Sequence, residues 1–150
     1  MMNYKEFLIL AAAALLMGLS SKARPNDLYL TTTVRSYHAD RHADYNEKNW
    51  GLGLRYKLDA DHLSAVAGVY KNSLYKPSIY AGLAYTPIKW LTDVNVGFLV
   101  GGVTGYLEHA VPIFVPILMY QYKEVGINLI GIPPLGNIDS VVALQLEWRL

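Results

Sequence analysis

Two short stretches hold side chains that could do chemistry. "YHADRHAD", Tyr37 to Asp44, brings His38 and His42 together with Asp40 and Asp44. "KNS", Lys71 to Ser73, sets an amide beside a hydroxyl. An imidazole can take a proton near neutral pH, and a serine hydroxyl next to such a base can attack or hold a carbonyl. The types alone leave blander readings open. Asn tolerates left-handed backbone and Ser bonds back to its own chain, so "KNS" is equally a β-turn tripeptide. His38 beside His42 in a polar loop can simply be solvated. Histidines and carboxylates are common metal ligands, but a loop with no imposed geometry is a poor cage, and neither a metal nor a cofactor is expected.

The elements that must carry these groups read with period two. The last ten residues, "VVALQLEWRL", place Val142, Leu144, Leu146, Trp148 and Leu150 on one face and Ala143, Gln145, Glu147 and Arg149 on the other. Seven further segments share this pattern: 27–38, 49–59, 62–71, 78–87, 93–106, 114–124 and 125–134. Asp59, Asp61, Asn72, Pro77, Asp93, Gly136 and Asn137 punctuate them. No helical period of useful length is present. Apolar residues make up 53% of the 150 and charged residues only 17%. The apolar face is therefore the major one, the reverse of a soluble barrel, whose outside must be polar.

Eight strands of about ten residues, apolar outward, predict an all-β fold: an eight-stranded antiparallel transmembrane β-barrel. Tyr29, Trp50, Tyr56, Tyr85, Trp90, Tyr120 and Trp148 fall at strand ends, where interfacial girdles belong. Glu147 and Arg149 are expected to point into the lumen and to pair there. A barrel this narrow has little room for an aqueous channel, and a net charge of +1 gives no reason to expect nucleic acid. The start of the chain, Lys5 followed by an apolar run from Phe7 to Leu19 and then small residues, has the layout of a secretory signal peptide. Cleavage after Ser20 or Ala23 leaves residues 1–23 as the signal and 24–150 as the barrel domain.

Three stretches read together carry more. "YHADRHADYNEKNWGLGL", "VYKNSLYKPSIYAGLAYTP" and the segment from Val111 to Leu150 resemble the PagP family of outer-membrane lipid A palmitoyltransferases. The likeness covers about residues 28 to 150. It implies a monomeric outer-membrane enzyme whose partners are membrane lipids: a phospholipid that donates a palmitoyl chain and lipid A that accepts it. It puts His38 at the family's catalytic His position and Ser73 at its Ser position. Asn72 falls where the family usually carries Asp. An amide cannot stabilise an imidazolium by charge but can orient an imidazole, so an Asn72→Asp exchange is expected to raise the rate. The alternative is a non-catalytic barrel that binds lipid or alters the cell surface structurally.

The resemblance also implies an apolar acyl pocket within the barrel, with lateral openings to the bilayer. Gly82 and Ala84, and Gly97, Gly101 and Gly102 in the next segment, leave interior space, and Ala84 lies near the family's pocket floor. Proline removes a ladder hydrogen bond, so Pro112, Pro116 and Pro133, with Pro134, are expected to open gaps on either side of strand six. The family carries an amphipathic helix before its first strand, whereas here only a few residues separate Ala23 from Leu28.

Overall fold

The computed structural model describes residues 28–40, 44–58, 62–134 and 139–150. The proposed signal segment, the region before the first strand and His42 lie outside them. Eight strands follow in order: β1 (Leu28–His38), β2 (Gly51–Lys57), β3 (Leu63–Lys71), β4 (Pro77–Leu91), β5 (Val94–Val103), β6 (Val111–Tyr122), β7 (Val125–Ile132) and β8 (Val141–Arg149). Each pairs antiparallel with its sequence neighbour, and β1 closes on β8 from Tyr29↔Arg149 to His38↔Val141. Closure leaves no free edge, which is the condition for strands to cross a bilayer.

Boundaries shift where sequence signals compete. Pro87 suggested an end to the fourth strand, yet β4 runs on to Leu91, because a register shift between Tyr85 and Ile88 absorbs the proline. β6 begins at Val111 rather than Phe114, so Pro112 lies inside it.

The two faces separate as the alternation requires. Leu52, Val69, Leu83, Phe98, Val100, Phe114, Leu129 and Val142 are exposed on the outer wall. Tyr37 and Trp50 mark the rim where β1 ends; Trp90, Tyr120, Tyr122 and Trp148 mark the opposite one. Tyr29 corrects the expected girdle: it is 0% exposed, inside the lumen, with the Arg55 guanidinium 3.8 Å from its ring centre.

Inside, two layers stack along the barrel axis. An apolar cluster of Val66, Ala84, Leu99, Val115, Ile117 and Met119 packs in the middle and surrounds a cavity. Beneath it lies a polar plate. Arg55 donates twice to Glu147, through Nε at 2.9 Å and Nη2 at 2.6 Å. Asn128 Nδ2 donates to Glu147 at 3.0 Å and to Gln145 at 3.2 Å, and Gln145 Nε2 donates to Tyr80 at 3.1 Å. The ion pair expected between Glu147 and Arg149 is thus formed by Arg55 instead. Arg149 turns to the rim, donating to the Tyr29 hydroxyl at 3.2 Å and facing Glu124 at 3.9 Å. A planar guanidinium from β2, reaching over β1 to β8, can meet both oxygens of one carboxylate.

Candidate active site

His38 is the last residue of β1 and only 3% exposed. Burial rules out the solvated-loop reading, and the cause is the chain after it. The segment 44–50 folds back along the rim, with Ser36 N–H donating to Glu47 O at 3.0 Å and Asn46 N–H to Ser73 O at 2.9 Å. Asn46 and Asn49 then act as clamps. Their side-chain amides donate to Asn72 O at 3.0 Å and to Lys71 O at 3.0 Å, fixing the β3–β4 turn against the end of β1. Tyr45, from the same segment, stacks on the imidazole with ring centres 4.4 Å apart and planes 24° apart.

The turn carries Ser73 into place. His38 Nε2 and Ser73 Oγ lie 2.8 Å apart, both buried. With the ring proton on Nδ1, Nε2 accepts from the serine hydroxyl, which is the geometry of a base beside its nucleophile.

Asn72 does something else. Its Oδ1 accepts from Leu74 N–H and Lys76 N–H, each at 2.9 Å. Its Nδ2 donates to Ser78 Oγ at 2.9 Å and to Gly105 O at 3.0 Å. Both donors and both acceptor positions are in use, and among the described residues none of these bonds goes to His38. The side chain is 0% exposed and organises the turn from within. Two left-handed residues complete the fit, Tyr75 at φ 62° and Gly105 at φ 89°. A Cβ on Gly105 would lie 2.4 Å from Ser78 Oγ, so only glycine lets the β5–β6 loop reach the turn.

Ser73 opens onto an interior cavity of about 100 Å³. Tyr70 and Tyr106 stand at the same end, their hydroxyls 3.0 Å apart. Burial raises the Tyr106 phenol above its usual range, against the opposing pull of its hydrogen bonds to Tyr70 and Ser73. It therefore stays protonated, and able to donate, at ordinary pH. Apolar side chains such as Leu99, Ile113 and Val115 line the shaft, and Arg55, Asn128 and Gln145 line the far end.

His38 instead lines a groove on the outer wall, with Tyr37, Phe114, Pro116, Pro133 and Val142. The hydrogen-bonded pair thus stands between a cavity within the barrel and an opening toward the bilayer side. The proline expectation is met on one flank of β6. The β6–β7 ladder runs from Tyr122↔Val125 to Ile117↔Ile130 and stops at Pro116, which has no N–H to offer. The β5–β6 ladder is continuous from Val94↔Tyr120 to Val103↔Val111, so there is no gap on that side. Pro112, opposite Gly102, is exposed on the outer face and does not line the groove.

The small residues of β4 also divide. Gly82 faces Gly101, and a Cβ on Gly82 would come within 2.2 Å of Val100 O, so its smallness serves close strand approach. Ala84, 1% exposed, belongs to the apolar cluster beside the cavity. Sequence reasoning passed over Tyr45, Asn46, Asn49, Tyr70 and Tyr106, which gather only in three dimensions. The plate had a visible signal, since Arg55 and Glu147 are charges on the inward face of otherwise apolar strands.

A family model described as "Antimicrobial peptide resistance and lipid A acylation protein PagP" matches residues 20–145. A protein of Laribacter hongkongensis (strain HLHK9) named lipid A acyltransferase PagP is 30% identical over 123 residues, 76% of this chain. The chain spans 59% of that relative's length. Among solved structures, the solution NMR structure of the de novo designed TMB2.3 superposes with a TM-score of 0.64 at 15% identity, covering 87% of this chain and 98% of that one. That likeness concerns the fold alone, since the same barrel can host different activities.

Proposed function

Since the chain belongs to the PagP family, we propose that it is an outer-membrane acyltransferase that moves a palmitoyl chain from a phospholipid to lipid A, acting as a monomer. The observation that carries this reading is the 2.8 Å contact between His38 Nε2 and Ser73 Oγ at the mouth of an apolar cavity. In the proposed orientation residues 1–23 are a cleaved signal, β1 starts on the periplasmic side, and the His38 rim faces the cell exterior. The phospholipid approaches through the outer-wall groove beside Pro116 and Pro133, and its acyl tail lies in the cavity.

The chemistry then has two halves. Nε2 takes the Ser73 proton as Oγ attacks the ester carbonyl; the C–O bond breaks and the lysophospholipid hydroxyl leaves with that proton. In the second half Nε2 takes a proton from a lipid A hydroxyl, whose oxygen attacks the acyl-serine ester and returns Oγ to a hydroxyl. The Tyr106 phenol, beside Ser73, is placed to donate to the developing oxyanion. Asn72 enters as a positioning residue, because it builds the turn that presents Ser73. Ala84 packs in the apolar cluster around the shaft, while Gly82 and Pro112 support the wall.

The test is mass spectrometry of lipid A from cells that express the protein, its His38→Ala form or its Ser73→Ala form. Unaltered protein should add one acyl chain. Each variant should lose on the order of a hundred- to ten-thousandfold in rate, with the barrel still folded. Full transfer in either variant would remove that residue from the site. No carboxylate of the kind the family usually places here stands at residue 72, an observation that favours a second reading, a lipid-binding barrel without turnover. Absence of acyl addition by the unaltered protein would select it.

A further inference from the structure

The far end of the cavity is polar, which a plain hydrocarbon tail does not call for. Arg55, Asn128 and Gln145 line it, with Tyr80 on the wall. Asn128 is 1% exposed. Its orientation is fixed by its amide nitrogen, which donates to Gln145 Oε1 and Glu147 Oε2, neither of which can donate in return when Glu147 is ionised. The flipped amide would face two acceptors with an oxygen. Asn128 Oδ1 is left as a buried acceptor with no hydrogen-bond partner among the described residues. Its neighbours are already engaged: Arg55 bonds to Glu147 and Ser64, and Gln145 bonds to Tyr80.

A buried acceptor without a donor is costly, and native interiors rarely keep one. An alkyl chain filling the cavity would seal Oδ1 in that state. A chain with a hydroxyl at the right depth would satisfy it. We infer that the plate at the far end of the cavity is a hydroxyl-binding subsite, with Asn128 Oδ1 as its acceptor, and that the cavity prefers hydroxylated acyl chains over plain ones. The inference rests on the acyl-binding reading above, but it concerns the cavity and not the transfer step. An O–H donor at Oδ1 has two sources, a substrate hydroxyl or a water molecule, and the two behave differently when hydroxylated chains are offered.

The experiment uses the full barrel refolded in detergent, with hexadecanoic acid and its positional hydroxy isomers as probes, and native mass spectrometry to read competition. One isomer, or two adjacent ones, should bind up to about tenfold more tightly than the plain acid, as one net hydrogen bond allows. Isomers with the hydroxyl elsewhere should bind more weakly than the plain acid, because they bury it among Leu99, Ile113 and Val115. Asn128→Leu should erase the advantage. The isomer series in unaltered protein decides the matter even if that variant fails to fold. If every isomer binds no better than hexadecanoic acid, Oδ1 holds water or nothing, and the inference is overturned. A parallel transfer assay separates the two proposals: a barrel that ranks the isomers as stated but transfers nothing keeps the subsite and loses the enzyme.

Discussion

The residue that changes meaning most between sequence and structure is Asn72. The resemblance makes it a substitute for a family carboxylate, and on that view Asn72→Asp should speed transfer. The hydrogen bonds argue the opposite. Nδ2 donates to Gly105 O, and a carboxylate there would set two acceptors against each other. Ser78 can rotate its hydroxyl to donate, but the Gly105 carbonyl cannot adapt. Asn72→Asp should therefore destabilise the barrel by about 1–3 kcal/mol, the usual cost of a buried unsatisfied group, and slow transfer by loosening Ser73. Thermal unfolding by loss of heat-modified mobility on gels, with lipid A mass spectrometry alongside, would check both. A faster and equally stable variant would return Asn72 to a direct role beside His38.

At the scale of elements, the β6–β7 seam is the feature to perturb. Pro116 ends the ladder because it lacks an N–H, and its ring packs on Gly131, where an added Cβ would lie 3.2 Å from Pro116 Cγ. Pro116→Ala restores a donor where β7 can accept it. The ladder should extend toward Ile132 and narrow the groove that reaches His38. Transfer from phospholipid in a bilayer should slow severalfold, while transfer from a soluble short-chain ester, which needs no lateral entry, should change little. A gain in stability of about 0.5–1.5 kcal/mol is expected from the added hydrogen bond. Equal slowing with both donors would mean that the seam is not the route of entry.

For the whole molecule, the Arg55–Glu147 pair decides whether the barrel tolerates a charged interior. Side-chain exposure is 6% and 1%, so removing one partner leaves a buried charge alone. Arg55→Ala or Glu147→Ala should cost about 3–5 kcal/mol, whereas Arg55→Met with Glu147→Leu should be near neutral. The readout is the temperature at which the folded, fast-running band is lost on unboiled gels. The double variant should keep that band, and an equal loss in double and single variants would show that the plate serves the fold through more than the pair.

Much of this barrel was legible in the chain. Alternation of apolar and polar residues fixes which side of each strand faces out, since the side-chain period in a strand is two. That rule alone placed Arg55, Gln145 and Glu147 inside and Trp148 outside. The resemblance brought His38 and Ser73 to notice, and the structure sets the two side chains 2.8 Å apart. The same alternation could not say that Glu147 meets Arg55 rather than Arg149. That pairing depends on how β2 and β8 are each registered on β1, Tyr29↔Arg55 on one side and Thr31↔Glu147 on the other, and alternation within a strand carries no register between strands. It could not separate Gly82, which serves strand approach, from residues that line the cavity. Nor could it show that segment 44–50 folds over the rim and buries His38. Asn46 and Asn49 find the Lys71 and Asn72 carbonyls only once β1, β2 and β3 stand side by side, because a side-chain amide reaches about one hydrogen bond's length and carries no information about which distant carbonyl will be there.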